Sequence, residues 1–75
     1  MSAWRADWCN DPNDDYNIVA EISYGEEHVA TIKQGEHCPE LIWYPNKDEL
    51  RVPAAWLAGL LAEADKRIRK SREVQ

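Results

Sequence analysis

Two cysteines and two histidines are the side chains of this chain whose chemistry is easiest to recognise. Cys9 lies near the N-terminus, whereas His28, His37 and Cys38 lie in the middle of the sequence. A zinc site would need all four as ligands, but His37 and Cys38 are adjacent, and the sequence contains no C-x-x-C or H-x-x-x-H pair. We therefore predict no metal site and no cofactor.

Cys38 is a candidate nucleophile, with His28 or His37 as its base. However, a chain of 75 residues has little volume left for a substrate pocket of ~300 Å³ once its core is built. The sequence also lacks a Gly-rich phosphate loop, a G-x-S-x-G motif and an H-E-x-x-H motif. We expect no enzyme activity and no catalytic residue, and we keep a cysteine-dependent activity at Cys38 as a third hypothesis.

The cysteine count and the first residues of the chain bear on its compartment. Two cysteines are too few for the disulfide framework of small secreted domains, so we expect free thiols in the cytoplasm. A bridge between Cys9 and Cys38 stays open for an oxidising compartment, where it would add about 3 kcal/mol. Asp7, Asn10 and Asp11 stand where a secretory signal needs apolar residues, and no run of 18 apolar residues occurs.

The charge of the chain is acidic and unevenly distributed. The net charge is -5 and the isoelectric point is about 4.9, which argues against nucleic acid or an anionic membrane as a partner. Residues 1–50 contain eleven acidic and three basic side chains, whereas residues 51–75 contain three acidic and six basic ones. The carboxylates either form a solvated surface that keeps the protein soluble, or steer a basic partner.

The pattern of apolar residues predicts a single domain over residues 1–75. Trp4 and Trp8 have helix-like spacing and precede a turn-rich string, so we expect an irregular arm over residues 1–15. At least Trp8 should pack on the domain, because an indole in water leaves a large apolar surface exposed.

A β-hairpin should follow the arm. Residues 16–24 and 28–34 both alternate between apolar and polar side chains, and a turn led by glycine separates them. The register stays open, since a three-residue loop places Ile22 opposite Ala30, whereas a two-residue loop places Ile22 opposite Val29.

The remaining elements complete an α+β fold. Residues 40–44 predict a third strand, whose apolar run implies that the helix covers one face and the arm or a partner covers the other. Residues 50–52 predict a short fourth strand, and Pro53 opens an amphipathic helix over residues 53–72. We therefore expect a small antiparallel sheet of three to four strands over residues 16–52, in the order β-β-β(-β)-α, packed against one C-terminal amphipathic helix. The apolar stripe of the helix consists of Trp56, Leu57, Leu60, Leu61, Ala64 and Ile68.

The aromatic composition favours a binding surface. Four Trp and three Tyr without any Phe are weighted toward rings that lie partly in water, as interface residues do. We expect Tyr16 and Tyr24, on the inner face of the first strand, to belong to the core. Trp4 and one of Trp43 or Tyr44 are the better candidates for contact with a partner.

The strings D-Y-N-I-V-A-E-I, H-V-A-T-I-K, E-L-I-W-Y-P and L-R-V-P-A-A-W-L-A-G-L-L-A-E-A, joined by short turns, cover about residues 14–68. In layout and composition this arrangement resembles small bacterial immunity and antitoxin proteins, which are encoded beside polymorphic or contact-dependent toxins. The resemblance implies a small, acidic, non-enzymatic protein that masks a cationic active site. Phage-encoded inhibitors of host defence, including anti-CRISPR proteins, have a similar size and charge.

Two further hypotheses concern binding. The first is an inhibitor of one specific basic protein, such as a toxin or a defence-complex subunit. The second is a homo-oligomeric module, for instance a homodimer, that buries its open sheet face or edge against a copy of itself. For the first, five carboxylates steer and one indole anchors the partner, and the predicted partner-binding residues are Asp14, Asp15, Glu21, Glu26, Glu27 and Trp43.

Overall fold

The computed structural model describes residues 3–46 and 48–73. It shows a four-stranded antiparallel sheet followed by one C-terminal helix, which confirms the predicted α+β class. The strands lie in the sheet in chain order, so the sheet is a meander. The elements are β1 (Trp4–Asp11), a single 3-10 turn (Pro12–Asp14), β2 (Asn17–Tyr24), β3 (Glu27–Gln34), β4 (Pro39–Trp43) and α1 (Ala54–Glu73).

Strand β1 occupies most of the segment for which the sequence predicts an irregular arm, so that prediction is wrong. Trp4 lies opposite Tyr24 of β2, and Trp8 lies opposite Ala20. A spacing of four places two side chains on one side of a strand as well as on one side of a helix, so the tryptophan spacing does not distinguish the two. The sheet consequently begins at Trp4 rather than at residue 16.

The β2–β3 hairpin combines features of both predicted alternatives. Tyr24 pairs with Glu27 across a two-residue loop, yet Ile22 pairs with Ala30, as expected for the three-residue loop. A β-bulge next to the Ile22 pair supplies the extra residue on β3 that reconciles the two. Gly25 opens the loop with a φ of 64°, the sign that the first position of a type II′ turn requires.

The core lies between one face of the sheet and α1. Every strand except β4 contributes a buried apolar side chain to it, and α1 contributes two. Fully burying a side chain of this size stabilises the fold by roughly 1.5–3 kcal/mol. The largest fully buried side chains are Ile22, Val29, Ile32 and Ile68.

Helix α1 begins at Ala54, one residue after the predicted start at Pro53. The Pro53 carbonyl accepts the N–H of Leu57 at 3.0 Å, so the proline stands where its missing N–H is not needed. The predicted apolar stripe is correct except for Leu61, which is exposed. No helix among the described residues is long and apolar enough to cross a membrane.

The connection from β4 to α1 contains no strand among its described residues, so the predicted fourth strand over residues 50–52 is wrong. Leu50 and Val52 are partly buried against the core, as their alternation implies. Between them, the carbonyl of Arg51 accepts a hydrogen bond from Nε1 of Trp4 at 3.1 Å. The segment therefore packs against a β1 side chain instead of joining the sheet beside β4.

Candidate protein-binding surface

The side chains predicted to bind a partner are divided between the two ends of the sheet and the middle of β2. Glu26 and Glu27 lie at the β2–β3 turn, and Trp43 ends β4 near the same turn, because β4 runs antiparallel to β3. Asp15 lies at the opposite end of β2, a strand of eight residues that spans ~26 Å. The side chain of Asp14 falls outside the described part of the structure. The fold thus brings together Glu26, Glu27 and Trp43.

The hairpin turn and the loop after β4 border an open cleft of about 340 Å³. The loop supplies two carboxylates that the sequence analysis did not single out. Because every connection of a meander joins neighbouring strands, the segment that leaves β4 must start at the end where the β2–β3 turn lies. We call Glu26, Glu27, Asp48 and Glu49 the acidic end. The cleft is lined by Tyr24, Glu27, Asn46, Asp48, Glu49, Leu50 and Arg51.

Among the described residues that line this cleft, Arg51 is the single cation. Its Nε donates to Oε2 of Glu49 at 2.9 Å, and because both side chains are strongly exposed, the pair stabilises the fold little. Nδ2 of Asn46 donates to Oε2 of Glu27 at 3.5 Å, which links the loop to the hairpin. Lys47 lies outside the described residues. The described part of the acidic end is therefore net negative.

Four aromatic rings meet beside the acidic end. The Trp4 ring centroid lies 4.9 Å from that of Tyr24, 6.2 Å from that of Trp43 and 6.1 Å from that of Trp56. Trp4 is only 8% exposed, so the expectation that it contacts a partner is wrong and it belongs to the core. Tyr24 lies opposite Trp4, yet it is exposed, so its predicted burial in the core is also wrong.

Strand β4 presents apolar side chains on both of its sides. Leu41, Ile42, Trp43 and the following Tyr44 are 37–41% exposed. The predicted cover of one face by the arm is wrong, because that segment forms β1 at the far edge of the sheet, whereas cover by a partner stays a prediction. β4 is therefore an edge strand with an apolar surface.

The β1–β2 connection holds an aromatic side chain away from the core. Tyr16 is 68% exposed, which contradicts its predicted place on the inner face of a strand. Asp15 and Tyr16 have φ values of 52° and 59°, a conformation that non-glycine residues rarely adopt. The N–H of Tyr16 donates to the Asp11 carbonyl at 2.8 Å, and Nδ2 of Asn10 donates to the Tyr16 carbonyl at 2.8 Å. These bonds hold the turn in place.

Glu21 lies in the middle of β2, on the face opposite to the core side chains Ala20 and Ile22. Its Oε1 accepts a hydrogen bond from the Cys9 thiol at 3.2 Å. Burial raises the pKa of the Cys9 thiol, and the contact with Glu21 raises it further. Since the thiolate is the reactive form, Cys9 is a poor nucleophile at neutral pH.

The two cysteines are free and lie near opposite edges of the sheet. Cys9 belongs to β1, whereas Cys38 directly precedes β4, so β2 and β3 separate the two by ~14 Å of strand spacing. A disulfide needs Cα atoms within about 7 Å, so this fold does not allow the Cys9–Cys38 bridge. Within the described ranges, no group of three or more His, Cys, Asp or Glu side chains is placed to hold a metal ion.

One network of residue types common in catalysis occurs, which the sequence analysis did not anticipate. Nε2 of His28 lies 2.9 Å from the Ala30 carbonyl oxygen and 3.0 Å from Oγ1 of Thr31, which in turn lies 2.9 Å from the Tyr44 hydroxyl. A carbonyl oxygen only accepts, so Nε2 must carry a hydrogen. In this arrangement His28 is therefore not a base for Thr31, and the network instead ties the end of β4 to β3.

Comparisons with known proteins give no relative for this chain: no family model matches it, and no curated protein or solved structure matches it.

Proposed function

We propose that this protein is a small, acidic, non-enzymatic inhibitor that binds one specific basic protein and masks its cationic surface or active site. An immunity or antitoxin protein paired with a cognate toxin is the form we favour. A phage-encoded inhibitor of a host defence complex, of the anti-CRISPR type, is the alternative with the same chemistry. The observation that carries the proposal is the position of the acidic end beside the exposed indole of Trp43.

The acidic end supplies long-range attraction. Three of its carboxylates, Glu27, Asp48 and Glu49, line an open cleft whose described cation, Arg51, is already bonded to Glu49. A surface of one sign accelerates encounter with a partner of the opposite sign and contributes less to the lifetime of the complex. The same charges oppose nucleic acid and anionic membranes, in agreement with the acidic composition of the whole chain.

The aromatic side chains supply short-range affinity. Trp43 is 41% exposed at the end of β4, and Tyr24 lines the acidic cleft. Tryptophan and tyrosine dominate the energy of protein interfaces when they become buried, because each removes a large rigid apolar surface from water. Exposed aromatic side chains next to a charged surface are a combination found at protein interfaces.

Action in the cytoplasm belongs to the same proposal. Its support is the pair of free cysteines, Cys9 and Cys38, which a reducing compartment keeps as thiols.

The test begins with the partner. The tagged protein is expressed in a bacterial host, captured at low and at moderate salt, and its stoichiometric companion is identified by mass spectrometry and purified. Association rates are then measured for the wild type and for Glu26→Gln/Glu27→Gln. Removing two charges at the acidic end should slow association about tenfold at low salt, and raising the salt should shrink the difference.

A matched control removes the same charge at the opposite end of β2. Asp14→Asn/Asp15→Asn replaces two adjacent carboxylates by their amides, and Asn tolerates the left-handed conformation at position 15. Asp14 and Asp15 are among the partner-binding residues predicted from the sequence, but they lie at the far end of β2 from Glu26 and Glu27, so we expect this variant to change the association rate less than twofold. Equal rates for both double variants, or a companion that is acidic, would refute the proposal. Recovery of a stable dimer without any companion would favour the homo-oligomeric module instead.

A further inference from the structure

The free edge of β4 has a defined set of unpaired backbone groups. The Tyr44 N–H donates to the Val29 carbonyl at 2.9 Å, and the Cys38 carbonyl accepts the Gly35 N–H at 2.8 Å. In an antiparallel strand, successive residues direct their N–H and C=O groups to opposite sides. Every second residue from 38 to 44 therefore faces β3, and Leu41 and Trp43 direct their N–H and C=O groups away from the sheet.

This edge lacks the features that prevent strand pairing. Natural edge strands are blunted by charged side chains, prolines or covering segments, because an open row of backbone groups pairs readily with another chain. In β4, Pro39 and Glu40 oppose pairing at the start of the strand. The next three residues, Leu41, Ile42 and Trp43, carry no charge. The side chains alternate across the edge, so an added strand would find apolar contacts on both of its faces.

The charges around β4 indicate which kind of added strand would bind to this edge. Carboxylates flank β4 at both ends: the acidic end lies beyond its last residue, and Glu36 and Glu40 lie at its start. Lys33 lies opposite Glu40, and Arg51 is bonded to Glu49. An incoming strand with lysine or arginine beyond its apolar centre would pair with these carboxylates.

A second copy of this chain matches the edge less well. Pairing β4 with itself would bring together two edges that are both flanked by carboxylates, and the second copy carries the same net charge of -5. The strand is also only five residues long, whereas a stable interface of standard size needs about 20–30 residues on each side. A basic partner extends the contact over the acidic end, which a copy of this acidic chain does not.

We propose that β4 receives an extended basic segment of the partner as a fifth strand, whose backbone pairs with Leu41 and Trp43 and whose flanking Lys or Arg side chains bind the carboxylates at both ends of β4. This inference rests on the proposed function and specifies how the partner is held. β-Strand addition of this kind takes its affinity from main-chain hydrogen bonds and its specificity from alternate side chains.

The test uses a synthetic nine-residue peptide with two lysines at each end and a Val-Thr-Val-Thr-Val centre, added to the ¹⁵N-labelled full chain. Amide hydrogen exchange and amide chemical shifts are recorded by NMR. Exchange at Leu41 and Trp43 should slow at least about fivefold at millimolar peptide, because their amides become hydrogen-bonded. The same peptide with proline as its central residue, and a version with glutamate in place of lysine, should each bind at least about tenfold more weakly.

Two leucine variants provide a matched pair on the protein side. Leu41 and Leu61 are both 38% exposed, one on β4 and one on α1, so Leu41→Lys and Leu61→Lys make the same chemical change at equal exposure. We expect Leu41→Lys to weaken peptide binding at least about tenfold and Leu61→Lys to change it less than about twofold. Circular dichroism and the NMR spectrum confirm that each variant is folded.

The outcomes separate this inference from the proposed function. Unchanged exchange at Leu41 and Trp43, or equal binding of the proline peptide, overturns strand addition. Slowed exchange that needs no peptide and follows protein concentration, with a dimer in sedimentation, also overturns it and assigns the edge to a second copy. If the isolated partner responds to Glu26→Gln/Glu27→Gln but not to Leu41→Lys, the proposed function stands and the fifth strand fails. If the partner responds to neither, both fail.

Discussion

The two edge strands of the sheet are protected to very different degrees. On its solvent side β1 carries an ion pair between Arg5 and Asp7 at 3.2 Å, and on its other side Trp4 is 8% exposed. Strand β4 carries apolar side chains on both sides, and Trp43 is 41% exposed although its ring lies 6.2 Å from that of Trp4. The comparison shows that a side chain on the core side of an edge strand becomes buried only where another segment packs over it.

The segment that closes over β1 is the connection before α1. The Arg51 carbonyl accepts the Trp4 indole N–H, and Trp56, in the first turn of α1, packs its ring 6.1 Å away. The described connection between sheet and helix therefore contacts Trp4, a residue of the edge strand farthest from where that connection starts. This leaves β4 open on the side that we propose for the partner.

The largest expected effect comes from the two tryptophans. Trp4→Ala removes a buried ring and the hydrogen bond to Arg51, so we expect a loss of about 3–5 kcal/mol in the free energy of unfolding. Trp43→Ala removes a half-exposed ring at the other edge and should cost about 1 kcal/mol. Urea denaturation followed by circular dichroism measures both.

A domain of this size has little stability to spare, so a second pair of variants covers the case in which Trp4→Ala is too unfolded for a full unfolding curve. Trp4→Phe then serves as the milder variant, since it keeps an apolar ring and loses the N–H. It should still destabilise more than Trp43→Phe does. Equal losses in the free energy of unfolding for the two phenylalanine variants would show that the two edges are equally well covered, which would contradict the comparison of β1 with β4.

The second prediction concerns how β4 is attached. Thr31 is buried, and its Oγ1 lies 2.9 Å from the Tyr44 hydroxyl. Tyr44→Phe should therefore cost about 1 kcal/mol, the typical contribution of one hydrogen bond. Tyr24→Phe is the matched control on an exposed tyrosine and should change the free energy of unfolding by less than about 0.3 kcal/mol. A smaller loss at position 44 than at position 24 would contradict this account of β4.

The central hairpin and the helix could be predicted from the sequence, whereas the strand β1 could not. Residues 17–24 alternate with period two and α1 has a 3.6-residue apolar period, and both patterns depend on local geometry alone. The spacing of Trp4 and Trp8 fits either element. Only pairing with β2, a tertiary fact, decides between them.

The candidate site was predictable in part for the same reason. Glu26 and Glu27 lie in a turn that the sequence marks, and β4 must end beside that turn in any meander. The burial of Trp4 depends on where the backbone of Arg51 lies, and no local pattern carries that information. The predicted position of Tyr16 is wrong because β2 starts one residue later, after two residues in the left-handed conformation.

The third prediction concerns the clamp between α1 and β1. The guanidinium of Arg67 lies 4.6 Å from the centre of the Trp8 ring, and its Nε donates to Oε1 of Glu63 at 2.8 Å. Arg67→Met should lower the free energy of unfolding by about 0.5–1 kcal/mol. Lys66→Met removes the same charge one residue earlier and should change it by less than about 0.3 kcal/mol. Thermal unfolding of both variants in parallel measures the difference. Equal shifts of the unfolding midpoint would show that the cation–π contact does not stabilise the fold.

The smallest effect distinguishes the two thiols. Burial and Glu21 raise the pKa of Cys9 in the folded protein, so the stability linked to this group is complete below the ordinary thiol pKa and is lost as the pH rises above about 9. Cys9→Ser should flatten the decline in stability above about pH 9. In the wild type at pH 8, iodoacetamide should modify the exposed Cys38 faster than Cys9. Faster modification of Cys9 would contradict the contact with Glu21.

The meander order of the strands also determines how the molecule reaches its folded state. Each strand pairs with its neighbour in the sequence, so the sheet needs no long loop to close before its ladders form. The docking of α1 and the bond from Trp4 to Arg51, which joins residues 47 positions apart, require distant parts of the chain to meet. Folding should therefore be rapid for a β-rich domain. Packing of the connection against β1 should be a late step, so β4 should already be paired with β3 before the β1 edge is covered.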